Sequence, residues 1–225
     1  YAYTSKGNFV AVVSNGTAIL GLGNLGALAS KPVMEGKAAL FKRFADIDAI
    51  DLLVDTPEVE AFINSVRYLG PSFGGINLED IKSPDCFIIE DKLKELLDIP
   101  VFHDDQHGTA IVVCAGMLNG LKVVEKDIGK VRLVCAGAGA AALACLNLLC
   151  KIGMKRENIL VADIEGVVYE GRKSLMDPWK EPYARKTKAR TLDEAIKGAD
   201  IFLGLSAGGI VTKDMVASMA EKPLI

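Results

Sequence analysis

Aromatic residues are scarce in this sequence: they fill 6% of its 225 positions, and there is a single Trp. No charge of one sign dominates either. The formal net charge is −3, which speaks against a nucleic-acid or anionic-membrane surface. No apolar run reaches the roughly 20 residues that a membrane-spanning helix needs. The opening residues do not read as a secretory signal. Cys86, Cys114, Cys135, Cys145 and Cys150 include no Cys-x-x-Cys pair. Their neighbours are apolar, so they read as reduced core residues of a cytoplasmic protein. Internal repeats and low-complexity tracts are also missing. What remains is half hydrophobic and rich in Gly and Ala. That mix suits an α/β enzyme with helices packed closely on a sheet. The length allows one large domain or two ordinary ones. The chain starts at Tyr1-Ala2-Tyr3 and stops at Pro223-Leu224-Ile225. The last run looks like an unfinished strand, and further segments are expected at both ends.

The patterning predicts alternating strands and helices. Phe9–Val13 and Thr17–Leu20, split by Ser14-Asn15-Gly16, read as a hairpin. Helices are expected over Glu35–Phe44 and Pro57–Leu69, with a strand at Ile47–Val54 between them. Strand, helix and strand then lead to His103. Thr109–Val124 reads as a long apolar helix, loosened just before its start by Gly108. A domain boundary is placed there, giving domains over 1–107 and 108–225. Beyond it, Val131–Cys135, Ala140–Ile152 and Ile159–Ala162 form a strand-helix-strand unit with a right-handed crossover.

Two acidic clusters stand out, Gly74–Ile81 with Glu79 and Asp80, and Val101–Ala110 with Asp104 and Asp105. Each follows a strand-like run, and both are read as loops. Acids at strand ends can converge, and Mg²⁺ or Mn²⁺ favours several oxygen ligands. A cation held there could polarise a substrate oxygen. An acidic pair at a strand end is more often a helix cap or a solvated loop, and Asp85 is read that way. For the two clusters together both readings stand.

Gly-x-Gly-x-x-Gly occurs at Gly21–Gly26, and a variant ending in Ala runs from Gly137 to Ala142. Such a fingerprint needs a strand before it, a helix after it and an acid about 20 residues on. The first match lacks that context, because Pro32 disfavours a long helix directly after the glycines. It reads as a turn bringing backbone close to another segment. The second match has the context. Gly137, Gly139, Ala140 and Ala141 would present a helix N-terminus to a pyrophosphate, and Asp163 would bond the ribose hydroxyls. Asp163 with Glu165 would repel a 2′-phosphate, favouring NAD, while Arg172 and Lys173 keep NADP possible. The small-residue loop around Ser206 is read equally as a cofactor contact or as an ordinary turn. Lys37 lies among small and apolar residues at a predicted helix start. A lysine buried near a cleft has a lowered pKa and can act as a general base, although most lysines are simply on the surface.

Together these strings resemble the malic enzyme family in its shorter, bacterial-type form. Tyr3–Asn8, Gly21–Gly26, Lys31–Lys37, Phe41–Ala45, Phe73–Ile81 and Val101–Ala110 carry the resemblance, and it continues through the fingerprint and Gly166–Arg172. It implies an N-terminal α/β catalytic domain followed by a Rossmann-type doubly wound NAD-binding domain. It implies oxidative decarboxylation of malate to pyruvate and CO₂ with a nicotinamide cofactor and Mg²⁺ or Mn²⁺. Under it, Lys37 is the catalytic base, Asp104 the acid beside it, and Glu79, Asp80 and Asp105 the metal ligands. It also implies a homodimer or higher homo-oligomer.

The sequence departs from the family pattern in three places. Tyr3-Thr4 continues as Ser5-Lys6, not as the Tyr-Thr-Pro string that carries the family's general acid. The family's Asn-Pro loop would lie beyond Ile225. Thr17-Ala18-Ile19 replaces the arginine of the longer branch, so a substrate carboxylate needs another partner. The 225-residue chain alone is therefore expected to be a poor catalyst. A malolactic or oxaloacetate-decarboxylating sister enzyme, or a non-catalytic nucleotide-binding relative, is the alternative reading.

Overall fold

A computed structural model describes residues 1–19 and 21–225. The chain divides into two compact units, Tyr1–Asp105 and Gln106–Ile225. In the first unit, strands β1 (Phe9–Ser14), β2 (Asp48–Leu53), β3 (Gly75–Leu78) and β4 (Val101–His103) form one sheet in the order β2-β1-β3-β4. Every pairing in it is parallel. Parallel neighbours need crossovers, and α1 (Ala27–Ala45), α2 (Val59–Leu69) and α3 (Asp85–Leu96) supply them in turn. Phe62, Ile63 and Val66 form the buried stripe of α2, at the i, i+1, i+4 spacing of one helix face. Met34, Leu78, Ile89 and Leu93 are fully buried with them.

Three expectations fail here, each for a physical reason. There is no hairpin at residues 9–19, and Leu20 lies outside the described residues. β1 is an inner strand whose Ala11, Val12 and Val13 are buried. Such a run belongs in a parallel sheet covered on both faces. The chain then leaves the sheet, and Leu25 and Gly26 donate their N–H groups to the Gly16 carbonyl. Gly16 has φ 67°, and a Cβ there would lie 2.1 Å from the Gly26 oxygen, so only glycine fits.

The second failure is that a long helix does follow Gly26, with Pro32 inside it. Pro32 cannot bond the Leu28 carbonyl, but both residues lie on the exposed side of α1, where the lost hydrogen bond is less costly than in the core. The third is that Asp104 and Asp105 are not on a loop. They form the first turn of α4 (Asp104–Val123), where acids favour the helix dipole, and Gly108 is helical.

The second unit holds β5 (Leu133–Ala136), α5 (Ala140–Lys151), β6 (Ile159–Asp163), β7 (Gly166–Val167), α6 (Leu192–Ile196), β8 (Ile201–Gly204) and α7 (Lys213–Ala217). Its sheet runs β7-β6-β5-β8, parallel except for the β6–β7 pair. Leu133, Leu143, Leu146, Leu149 and Ile159 are fully buried in its core. All five cysteines are free, and four are buried; Cys150 is only half-buried. Burial pushes the thiols of Cys86, Cys135 and Cys145 up to about 12, so they stay protonated. No helix among the described residues is long and apolar enough to cross a membrane.

Candidate active site

In the first unit the chemistry collects at the carboxyl ends of two adjacent strands, the usual ligand position in an open parallel sheet. β3 leads directly into Glu79 and Asp80, and β4 into Asp104 and Asp105. Helix α1 brings Lys37 across to them. The Lys37 Nζ lies 2.7 Å from Asp104 Oδ2 and 3.1 Å from Glu79 Oε1. Asn77 Nδ2 donates to Glu79 Oε2 at 2.8 Å. The Asp80 N–H donates to Asp105 Oδ2 at 2.8 Å, and buried His103 has Nε2 3.9 Å from the same oxygen.

The Glu79–Asp80 corner is held by the loop that follows β1. The Ala18 N–H donates to the Asp80 carbonyl at 3.0 Å, and the Lys82 N–H to Thr17 Oγ1 at 3.0 Å. Asp80 adopts a left-handed φ of 53°, a conformation that a non-glycine residue holds only when its surroundings impose it.

The electrostatics are those of an acid-rich pocket with one ammonium. Burial pushes Glu79 up to about 7, and the charge of Asp105 adds to this against the Asn77 hydrogen bond and Lys37. For Lys37, burial would lower the pKa, but the Asp104 hydrogen bond and the Glu79 charge outweigh it and the net shift is upward. The expectation of a lowered lysine therefore fails. Lys37 is half-buried, and the two carboxylates that raise it come from distant parts of the chain.

The donor set suits a hard cation. Glu79, Asp80, Asp104 and Asp105 offer only oxygen, and Glu79 and Asp80 are buried. Among the described residues, however, no three acids, histidines or cysteines already stand as a coordination shell. The carboxylates of Glu79, Asp104 and Asp105 are turned onto Lys37, Asn77 and the Asp80 N–H instead. To hold an ion, Glu79 would give up its Lys37 contact while keeping that of Asn77, and Asp80 and Asp105 would turn toward it.

In the second unit a cavity of about 430 Å³ is lined by Gly137, Gly139, Asp163, Ile164, Leu192 and Ser206, among others. Gly137 has φ 122°, and a Cβ on it would lie 2.3 Å from the Leu205 carbonyl oxygen. Glycine is what lets the fingerprint turn and the Ser206 loop close together. The N-terminus of α5 has no side-chain cap, which leaves its N–H groups for a ligand. Ala140 and Ala141 form the first turn of α5, outside the residues that line the cavity.

Asp163, expected to bond the ribose hydroxyls, is already paired within the chain at the end of β6. Arg172 Nη2 donates to both of its oxygens, at 2.6 and 2.7 Å, and Lys180 Nζ donates at 3.2 Å. Arg172 and Lys180 are buried. Arg172 is further held by the carbonyls of Gly166, Val167 and Ser174. Lys180 also faces Asp177 Oδ2 at 3.8 Å, so two cations meet two acids and the Asp163 charge is paired. Sequence reasoning named Arg172 but missed Lys180, and it missed Asn77 and Thr17. A polar Asn between Ile76 and Leu78 in a buried strand was the available signal for Asn77.

A model of the malic enzyme N-terminal domain matches residues 2–58, and one of the malic enzyme NAD binding domain matches residues 106–225. The chain belongs to the malic enzyme family. It is 63% identical to the NADP-dependent malic enzyme of Rhizobium meliloti, over all of this chain and 30% of that protein. The NAD-dependent malic enzyme of the same organism is 60% identical over 99% of this chain and 29% of its own length. The chain thus spans under a third of those curated relatives. The crystal structure of the NAD-dependent malic enzyme from Thermotoga maritima superposes with a TM-score of 0.94 at 44% identity, covering all of this chain and 60% of that one. An N-terminal α/β unit followed by a Rossmann-like nicotinamide-cofactor-binding unit is the family architecture seen here.

Proposed function

We propose that the protein containing this chain catalyses the oxidative decarboxylation of malate to pyruvate and CO₂, dependent on a divalent metal and coupled to reduction of a nicotinamide cofactor. The observation that carries the reading is the Lys37 ammonium held between Asp104 and Glu79 at the strand ends. Lys37 holds its proton in this state, so it must pass the proton on before it can accept one from the substrate C2 hydroxyl. Asp104, at 2.7 Å, is placed to receive it. The base is therefore the Lys37–Asp104 pair rather than an isolated neutral lysine. Glu79, Asp80 and Asp105 are the residues that would hold Mg²⁺ or Mn²⁺, whose contribution is Lewis-acid polarisation of the C2 oxygen. In the second unit Gly137, Gly139 and Ser206 would line the cofactor, with Ala140 and Ala141 contributing N–H groups of the first helical turn. A homo-oligomer acting in the cytoplasm belongs to the same proposal.

The cofactor preference follows from Asp163. An unpaired Asp163 would exclude a 2′-phosphate, but Arg172 and Lys180 are bonded to it, so its charge is already offset, and Asp177 balances the second cation. Glu165 is exposed and adds only a solvent-screened charge. We infer that NADP is accepted at least as readily as NAD, in place of the NAD preference expected from the acids alone. The test is malate-dependent formation of NADPH and NADH, with pyruvate measured alongside, in the presence of Mn²⁺. Lactate as the product would favour a malolactic reaction; a relative 50% identical to this chain is named a bifunctional malic/malolactic enzyme, from Bacillus subtilis. No malate turnover with either cofactor would reject the proposal.

A further inference from the structure

We infer that Asn77 is a positioning residue that sets the Glu79 carboxylate for the cation site, an inference that rests on the reading of Glu79 as a metal ligand. Asn77 sits on β3, paired with Val12 on one side and Phe102 on the other, and is buried. Its strand neighbours Ile76 and Leu78 are apolar and equally buried. For the fold alone an apolar residue would serve better here, because a buried amide must be hydrogen-bonded to offset its lost hydration. The two-residue period of a strand places Asn77 on the same side as Glu79. Asn77 Nδ2 donates to Glu79 Oε2 at 2.8 Å, while Oε1 faces Lys37 Nζ at 3.1 Å. Each oxygen of Glu79 thus has its own partner, and the two contacts together fix the plane of the carboxylate.

The contact from Asn77 comes from rigid sheet, whereas Lys37 is a long side chain on a helix. Without Asn77 one oxygen of Glu79 would lose its donor inside the protein, and the carboxylate would turn toward Lys37. Groups that orient metal ligands in this way typically change metal affinity by about 10–100-fold when removed.

The experiment is an Mn²⁺ titration of the 225-residue chain by calorimetry or electron paramagnetic resonance. It compares the parent, Asn77→Leu, Glu79→Gln, the double variant and Asp105→Asn. Asn77→Leu should weaken Mn²⁺ binding about tenfold or more. In the Glu79→Gln background the same change should cost less than roughly twofold, because a residue that acts only through Glu79 has nothing left to orient. Melting followed by circular dichroism establishes that each variant is folded. If Asn77→Leu does not fold, Asn77→Thr, which suits a strand and lacks the amide, carries the same comparison. The inference is overturned if Asn77→Leu binds Mn²⁺ like the parent while Glu79→Gln does not. It is equally overturned if the Asn77 and Glu79 effects simply multiply. If neither Glu79→Gln nor Asp105→Asn weakens Mn²⁺ binding, the cation reading itself fails and this inference falls with it.

Discussion

Replacing Lys37 by alanine tests its proposed catalytic role apart from its structural one. The side chain is three-quarters enclosed and is the cation nearest to Glu79 and Asp104. Removing one partner of a buried pair usually costs about 3–5 kcal/mol, because a charge is stranded. Here the stranded charge has an outlet. Glu79 already titrates at about 7, and Lys37 is one of the influences holding it down. Without Lys37 it takes up a proton at neutral pH instead of remaining an unpaired anion. The stability loss should then stay under about 2 kcal/mol, on a scale of about 1.4 kcal/mol per pKa unit. Mn²⁺ binding should change little, since the loss of a competing positive charge offsets the proton that Glu79 must release on binding. Turnover should fall by about 10²–10⁴, the usual contribution of a positioned base. The assay is steady-state malate oxidation by a protein that includes this chain, beside thermal melts and an Mn²⁺ titration. Lys42→Ala is the control, because Lys42 only pairs with Asp46 and Asp48 at the surface. Retained turnover in Lys37→Ala, or the loss appearing in Lys42→Ala, would refute the argument.

Lys180→Gln removes one of the two cations at Asp163, and the ratio of kcat/KM for NADP over NAD should fall by about tenfold or more; an unchanged ratio would mean the 2′-phosphate is read elsewhere. Gly137→Ala forces a Cβ to 2.3 Å from the Leu205 oxygen at a φ of 122°, so nucleotide binding measured by fluorescence should be lost or the second unit destabilised; normal affinity and melting would contradict the close approach of the two loops. For Asp200, burial would raise the pKa, but the bonds from Lys126 and the Arg132 N–H outweigh it and leave the group below its usual 3.8. A depressed carboxylate contributes stability above its unfolded pKa and loses it as pH falls through the folded value. Acid denaturation below about pH 4 should therefore lose part of its pH dependence in Asp200→Asn, as followed by circular dichroism.

Much of the architecture is local and so was legible in the residues. The helix over Val59–Leu69 and the unit from β5 to β6 follow from apolar period and glycine placement, which neighbouring residues determine by themselves. The acids at 79, 80, 104 and 105 were also visible, because chemistry at strand ends leaves a mark in the sequence. What the pattern around Phe9–Val13 could not reveal was its partners. A strand reads alike whether it folds into a hairpin or lies inside a parallel sheet, and only the sheet order distinguishes them.

The site followed the same division. Sequence alone determined which groups could act: a lysine among small residues, two acidic clusters and a glycine turn before a helix. Tertiary structure alone decided their charge states. Lys37 and Asp104 stand 67 residues apart in the chain, and their contact turns an expected lowered lysine into a raised one. Asp163 meets Lys180 from 17 residues away across a loop without regular period, and that contact pairs the acid on which the expected cofactor preference rested. Ionisation depends on distance and burial in space, and neither is written in the spacing of residues along the chain.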